Sequence, residues 1–212
     1  MDKIIEQNDN ANGQPANVHR GPFLTWIVCA TCVAIFIELA QGKSQTRDTL
    51  FNLTSIGIRS GNYWGLITSV FTHVQLWHLF FNVYWLWILG GLLESTIGRL
   101  NWIGFFLIAA IISSGAQFAI SDSTGIGASG VVYAMFGFIW IGRQRYPSFH
   151  LIATKHNIIL FLGWLIFCIF ATRMNILRVG NSAHVAGLLV GVGTAYLVLR
   201  NTASSLQPEQ QE

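Results

Sequence analysis

The chain is built almost entirely from apolar runs of similar length, near residues 22–41, 78–97, 100–120, 127–143, 156–172 and 182–200. A helix of about 20 residues crosses the hydrocarbon core of a bilayer, about 30 Å thick. In lipid no water is available to satisfy peptide groups, so runs of this kind are restricted to helices. The expected architecture is therefore an all-α polytopic membrane protein with six transmembrane helices over residues 22–200. Polar stretches flank it: residues 1–21, rich in Asn and Gln, and residues 201–212, ending "LQPEQQE", both read as disordered tails. Only 10% of the residues are charged, where a soluble domain carries roughly a quarter. The net charge of +3 is small and dispersed, which argues against a nucleic-acid partner. The first run is not preceded by the basic segment of a signal peptide, since Lys3 and Arg20 are set against Asp2, Glu6 and Asp9.

Orientation follows from the basic residues in the connections. With the N-terminus cytoplasmic, Lys3, Arg20, Arg99, Arg143, Arg145, Lys155 and Arg200 lie inside, and Lys43, Arg47, Arg59, Arg173 and Arg178 outside. The short connections sharpen this bias: residues 121–126 carry no Lys or Arg, while residues 143–155 carry three. The connection from 42 to 77 is unusual, because it is long and holds Phe51, Leu53, Ile56, Ile58, Trp64 and Leu66 among other apolar residues. Such a segment either lies in the headgroup region or folds onto the bundle, and the two are compatible. Cys29 and Cys32 form a CxxC with no second pair and no nearby histidine, so with Cys168 they read as packing residues. No metal and no cofactor is called for.

Polar groups within apolar helices are costly and are functional candidates by default. The second run opens "HLFFN", which sets His78 and Asn82 four residues apart on one helix face. The fourth opens "GASG" and carries Ser129, followed by a small-residue stripe of Gly130, Ala134 and Gly137. The sixth reads "NSAHVAGLLVG", with His184 beside Ala183, Gly187 and Gly191. A small residue every fourth position lets two helix backbones approach closely. If these stripes face one another, His184 comes within reach of Ser129 and can act as its base. Ser129 falls in a first helical turn, whose N–H groups lack intrahelical partners and favour a developing oxyanion. Read singly, each residue has an ordinary alternative: a helix cap for Ser129, interhelical hydrogen bonds for His184, His78 and Asn82, a core aromatic for Tyr133.

Taken in order, "HLFFN", "GASGVVYAMFG" and "AHVAGLLVG" resemble the rhomboid family of intramembrane serine proteases, over about residues 22–200. "YWGLITSVFTHVQLWHLFFN" and "GGLLESTIG" look like the family's second-helix region. The resemblance implies a rhomboid-like six-helix bundle with a long membrane-associated first loop. It implies Ser129 as nucleophile and His184 as general base, without a carboxylate. His78, Asn82 and the backbone N–H of Ser129 would form the oxyanion hole, and Tyr133 would pack on the imidazole. Gly127 and Gly130 match the glycines framing the serine, and Gly187 and Gly191 those that bring the sixth helix against the fourth. His73 matches a histidine near the mouth of the site, with no role fixed.

The resemblance also implies transmembrane protein substrates, cleaved through an acyl-enzyme on the extracytoplasmic side of a bacterial inner membrane. Nothing in the sequence fixes an oligomeric state or a substrate. Asp122 is the acidic residue nearest Ser129 in sequence and a weak candidate for a third catalytic member. In one respect the chain departs from the family: Gly65 follows Trp64 where many members have arginine, so a loop anchor is missing. A rhomboid-like protein that binds membrane clients without cutting them is the alternative reading. The presence of both Ser129 and His184 speaks against it. A transporter would need more intramembrane charge than Glu38 and Glu94 supply.

Overall fold

The computed structural model of the chain describes residues 21–42, 55–121 and 124–205. Helix α1 spans Phe23–Ala40. The first loop contributes the short helices α2, Ser55–Arg59, and α3, Gly65–Thr68, followed by a 3₁₀ turn at Ser69–Phe71. Helix α4 spans Leu76–Ile97, α5 Arg99–Ser121, α6 Ser129–Gly142, α7 Lys155–Arg173 and α8 Asn181–Ser205. No strand occurs among the described residues. The protein is a polytopic, all-α membrane protein.

Five of the six expected spanning helices (α1, α4, α5, α7 and α8) are long and apolar enough to cross a bilayer. The fourth run differs from expectation. Its helix, α6, has 14 residues, about 21 Å at 1.5 Å per residue, against about 30 Å of hydrocarbon. It starts late because the chain before it is a turn: Gly125 and Gly127 adopt φ of 69° and 100°, left-handed values that favour glycine. The helix is also enclosed. Eleven of its residues, among them Val131, Ala134, Phe136 and Ile139, are buried, so the shortest of the six helices formed by the apolar runs lies at the centre of the bundle.

The closest packing partner of α6 is α8, with α5 next. Here the small-residue stripes meet as the sequence suggests. A Cβ on Gly187 would overlap the Gly130 carbonyl, and one on Gly191 would overlap the Ala134 carbonyl. A Cβ on Gly137 would lie 2.7 Å from the Leu188 oxygen. Backbone meets backbone along this seam, with no side chain between. Gly130 also admits α5, since a Cβ there would lie 2.6 Å from Ser113 Oγ.

At the opposite end, Glu94 is 3% exposed and caps α1. Its carboxylate accepts from the N–H groups of Leu24 (3.0 Å) and Thr25 (2.8 Å) and from the Thr25 hydroxyl (2.8 Å). Arg99 Nε lies 3.6 Å away. These first-turn amides would otherwise be orphaned in an apolar setting, and a negative charge suits the positive helix end. Glu94 is therefore a fastening between α1 and α4. Helix α4 itself relaxes into a π turn at Leu86–Gly90, and the indole of Trp102 donates to the Gly90 carbonyl at 3.1 Å.

The described part of the first loop folds onto the bundle. Ile58, Ser69 and Val70 are buried, α3 packs on α5, and Phe71 meets Phe106 with ring centres 6.0 Å apart. Tyr63 and Trp64 stay outward, each 68% exposed. Phe51 and Leu53 lie outside the described residues.

Candidate active site

Ser129 opens α6, and His184 lies in the first turn of α8. The α6–α8 seam fixes their separation: Ser129 Oγ is 2.7 Å from His184 Nε2. The imidazole is 4% exposed and the serine half-buried. When the serine hydroxyl donates to Nε2, the neutral ring carries its proton on Nδ1. That atom is buried with no hydrogen-bond partner among the described residues. Leaving a buried donor unmade costs about 1–3 kcal/mol, and in a carboxylate-oriented ring this is the atom a carboxylate would hold. Asp122 lies outside the described residues.

Orientation of the imidazole comes from packing. The Tyr133 ring lies 4.8 Å from that of His184 at 30°. Its hydroxyl is tied down in turn, donating to the Phe161 carbonyl of α7 at 3.0 Å. Tyr133 sits one turn after Ser129, so a single helix face presents both the hydroxyl and the platform for its neighbour.

The turn leading into α6 is held from outside. The Gly127 N–H donates to the Ser69 carbonyl at 3.0 Å, and the Ala128 N–H donates to His73 Nε2 at 3.4 Å. His73 Nδ1 lies 3.3 Å from the Phe71 carbonyl, which makes it the donor nitrogen of a neutral ring. Gly127 admits no side chain, since a Cβ there would lie 2.6 Å from His78 Cε1 and 3.3 Å from His73 Nε2. The His73 and His78 rings meet edge-on with centres 5.2 Å apart. His73 has no exposed surface. Burial, with the neighbouring His78 adding to it, pushes its pKa down to about 4 from the usual 6.5, against a small opposing pull from the Phe71 carbonyl.

Of the remaining expected residues, His78 therefore stands against the turn two residues before Ser129. Asn82 is buried, and its Nδ2 donates to the His78 carbonyl at 2.9 Å, leaving one further N–H on that amide. Gly130, Gly187 and Gly191 line the seam. The sequence reading missed Ser69 and Gln117. Gln117 Oε1 accepts from the Ala183 N–H at 3.2 Å, immediately before His184, and its Nε2 donates to Ser121 Oγ at 2.8 Å. A glutamine inside the apolar run 100–120 was the available signal.

The buried seam, the serine at a recessed helix start and the histidine facing it define a class of protein: a membrane-embedded helical bundle with a polar site inside it. A model of the rhomboid domain matches residues 60–201. The chain belongs to the rhomboid family. Two curated relatives, each called Rhomboid protease GlpG, from Salmonella paratyphi A and Salmonella typhi, are both 33% identical over 180 residues. The match covers 84% of this chain and 63% of each relative, so the chain spans less than two thirds of their length.

Proposed function

We propose that this protein is an intramembrane serine protease that hydrolyses peptide bonds in or near transmembrane segments of other membrane proteins. The observation that carries the reading is the 2.7 Å contact between Ser129 Oγ and His184 Nε2 at the start of a buried helix. Family membership and relatives called proteases support it.

The chemistry runs through two half-reactions. Ser129 Oγ attacks the scissile carbonyl while its proton passes to His184 Nε2. The tetrahedral intermediate collapses as the imidazolium returns that proton to the departing amine, leaving an acyl ester on Ser129. Water then attacks the ester, with His184 again taking and returning a proton, and the acid product leaves. The negative oxygen of each intermediate is held by the Ser129 backbone N–H at the head of α6, by Asn82 through its free N–H, and by His78. Tyr133 holds the imidazole ring. A helical substrate shields its own carbonyls, so the substrate must unwind locally. Small or helix-weakening residues near the scissile bond suit that requirement.

Ser129, His184 and His78 all lie toward the same end of their helices, the extracytoplasmic end if the N-terminus is cytoplasmic as the basic residues favour. The protein then works in a bacterial inner membrane with its site open to the outer face.

The deciding experiment compares wild type with Ser129→Ala and His184→Ala in detergent. It follows fluorophosphonate labelling and cleavage of a model transmembrane substrate. Both activities are expected in wild type and neither in either variant, a loss of at least about 10³-fold. A folded wild type that neither labels nor cuts overturns the reading and favours the binding of membrane clients.

A further inference from the structure

The two amides immediately before Ser129 are both spoken for by the first loop. Gly127 N–H is taken by the Ser69 carbonyl and Ala128 N–H by the His73 imidazole. The next N–H groups, those of Ser129 and Gly130, belong to the open first turn of α6. Successive peptide planes in a turn are geometrically linked, so fixing the Ala128 N–H on one side constrains where the Ser129 N–H points. His73 is well placed for this task. It lies wholly inside the protein, its Nδ1 is engaged by the Phe71 carbonyl, and only Nε2 remains as acceptor.

We propose that His73 is a positioning residue for the nucleophile: its neutral imidazole bridges Phe71 and Ala128 and thereby sets the entry of α6, the orientation of Ser129 and the Ser129 N–H. This inference rests on the protease reading. His73 touches no substrate; it acts through the backbone of residues 127–129, beside its edge-on contact with the His78 ring. The first loop thus does more than cover the bundle, because it holds the catalytic turn at two consecutive amides. The Ser69 carbonyl is fixed by the backbone, so the side-chain half of the clamp is the part that substitution can remove.

The test measures fluorophosphonate labelling of the full chain in detergent, separating the final labelled fraction from the rate constant. Two variants isolate the acceptor. His73→Gln places an amide oxygen close to the position of Nε2, and His73→Phe fills the space without an acceptor. A positioning role predicts that His73→Phe labels to the same final fraction as wild type but at least about tenfold more slowly, and that His73→Gln recovers to within about threefold of wild type. A lower labelled fraction at an unchanged rate would mean that His73 merely helps the protein fold, and would overturn the proposal. Equal rates in wild type and His73→Phe, or equal losses in both variants, would overturn it too. If His73→Phe yields no folded protein, His73→Leu takes its place as the variant without an acceptor, with the same expected and overturning rates. A wild type that fails to label overturns the protease reading itself, whereas a labelled wild type with an unaffected His73→Phe overturns only the role of His73.

Discussion

Helices α6 and α7 are both strongly apolar, yet they occupy opposite positions in the bundle. In α6 eleven of 14 residues are buried. In α7 only Phe161, Leu165, Cys168 and Ala171 of 19 residues are buried, a narrow stripe at helical spacing. Its other large side chains, such as Ile159, Ile166 and Phe170, stay exposed and are suited to lipid. Hydrophobicity cannot sort the two helices, because lipid tails are as apolar as a protein core and supply no hydrophobic drive for helix association. What separates them is the distribution of small residues. Gly130, Ala134 and Gly137 let α6 come into backbone contact with α8. Gly163 of α7, by contrast, has nothing within 4 Å of where a Cβ would stand.

A side chain placed in the α6–α8 seam tests its tightness most severely. A Cβ at Gly191 would already overlap the Ala134 carbonyl and lie 2.8 Å from the Phe138 nitrogen. Gly191→Val adds two methyl groups to it, and backbone cannot rotate away as a side chain can. A destabilisation of more than about 3 kcal/mol is expected, read as a large drop in the thermal unfolding midpoint in detergent. A midpoint near that of wild type would show that the seam is looser than the contacts imply.

The pH dependence of His73 tests the loop side of the same site. Its pKa is lowered on folding, so between about 4 and 6.5 the unfolded chain binds more protons than the folded one. The stability that His73 contributes is fully present above 6.5 and declines as pH falls toward 4. Among the described residues the titratable group that faces it is His78, which when protonated acts in the same direction. Midpoints of wild type and His73→Gln measured from pH 7 to 4 should converge or cross as acid removes the wild-type contribution. Parallel curves would show that His73 takes up its proton without cost.

Tyr133→Phe removes the hydrogen bond from the Tyr133 hydroxyl to the Phe161 carbonyl that links α6 to α7 and keeps the ring on His184. A loss of about 1 kcal/mol is expected, with fluorophosphonate labelling still readily detected. Gly163→Ala is the smallest change. It adds a methyl group to open space on α7, and a shift within about 0.5 kcal/mol is expected. A drop as large as that of Gly191→Val would erase the distinction between seam and periphery.

Much of the architecture is legible in the sequence. The six apolar runs coincide with helices α1, α4, α5, α6, α7 and α8 to within a few residues at most ends, because in a membrane each span must satisfy its own backbone and so must be helical. The four-residue spacing of Ala183, Gly187 and Gly191 and of Gly130 and Ala134 is enough to suggest that α6 and α8 face each other, since only small residues permit that approach. The short motifs carry Ser129, His184, His78 and Asn82 into view as candidates.

Three features were decided only by tertiary structure. The late start of α6 depends on the left-handed turn at Gly125 and Gly127, whose fit against His78 and His73 is a contact between segments some 50 residues apart. The attachment of the turn before Ser129 to the first loop rests on the Ser69 carbonyl and on His73, whose backbone partners the sequence does not show. Glu94 is an unexplained acid in an apolar run until α1 lies across it and offers three donors. A sequence shows which side chains can bear charge or make a close approach. Which peptide group each one finds depends on distances across the bundle, and those exist only once the helices have packed.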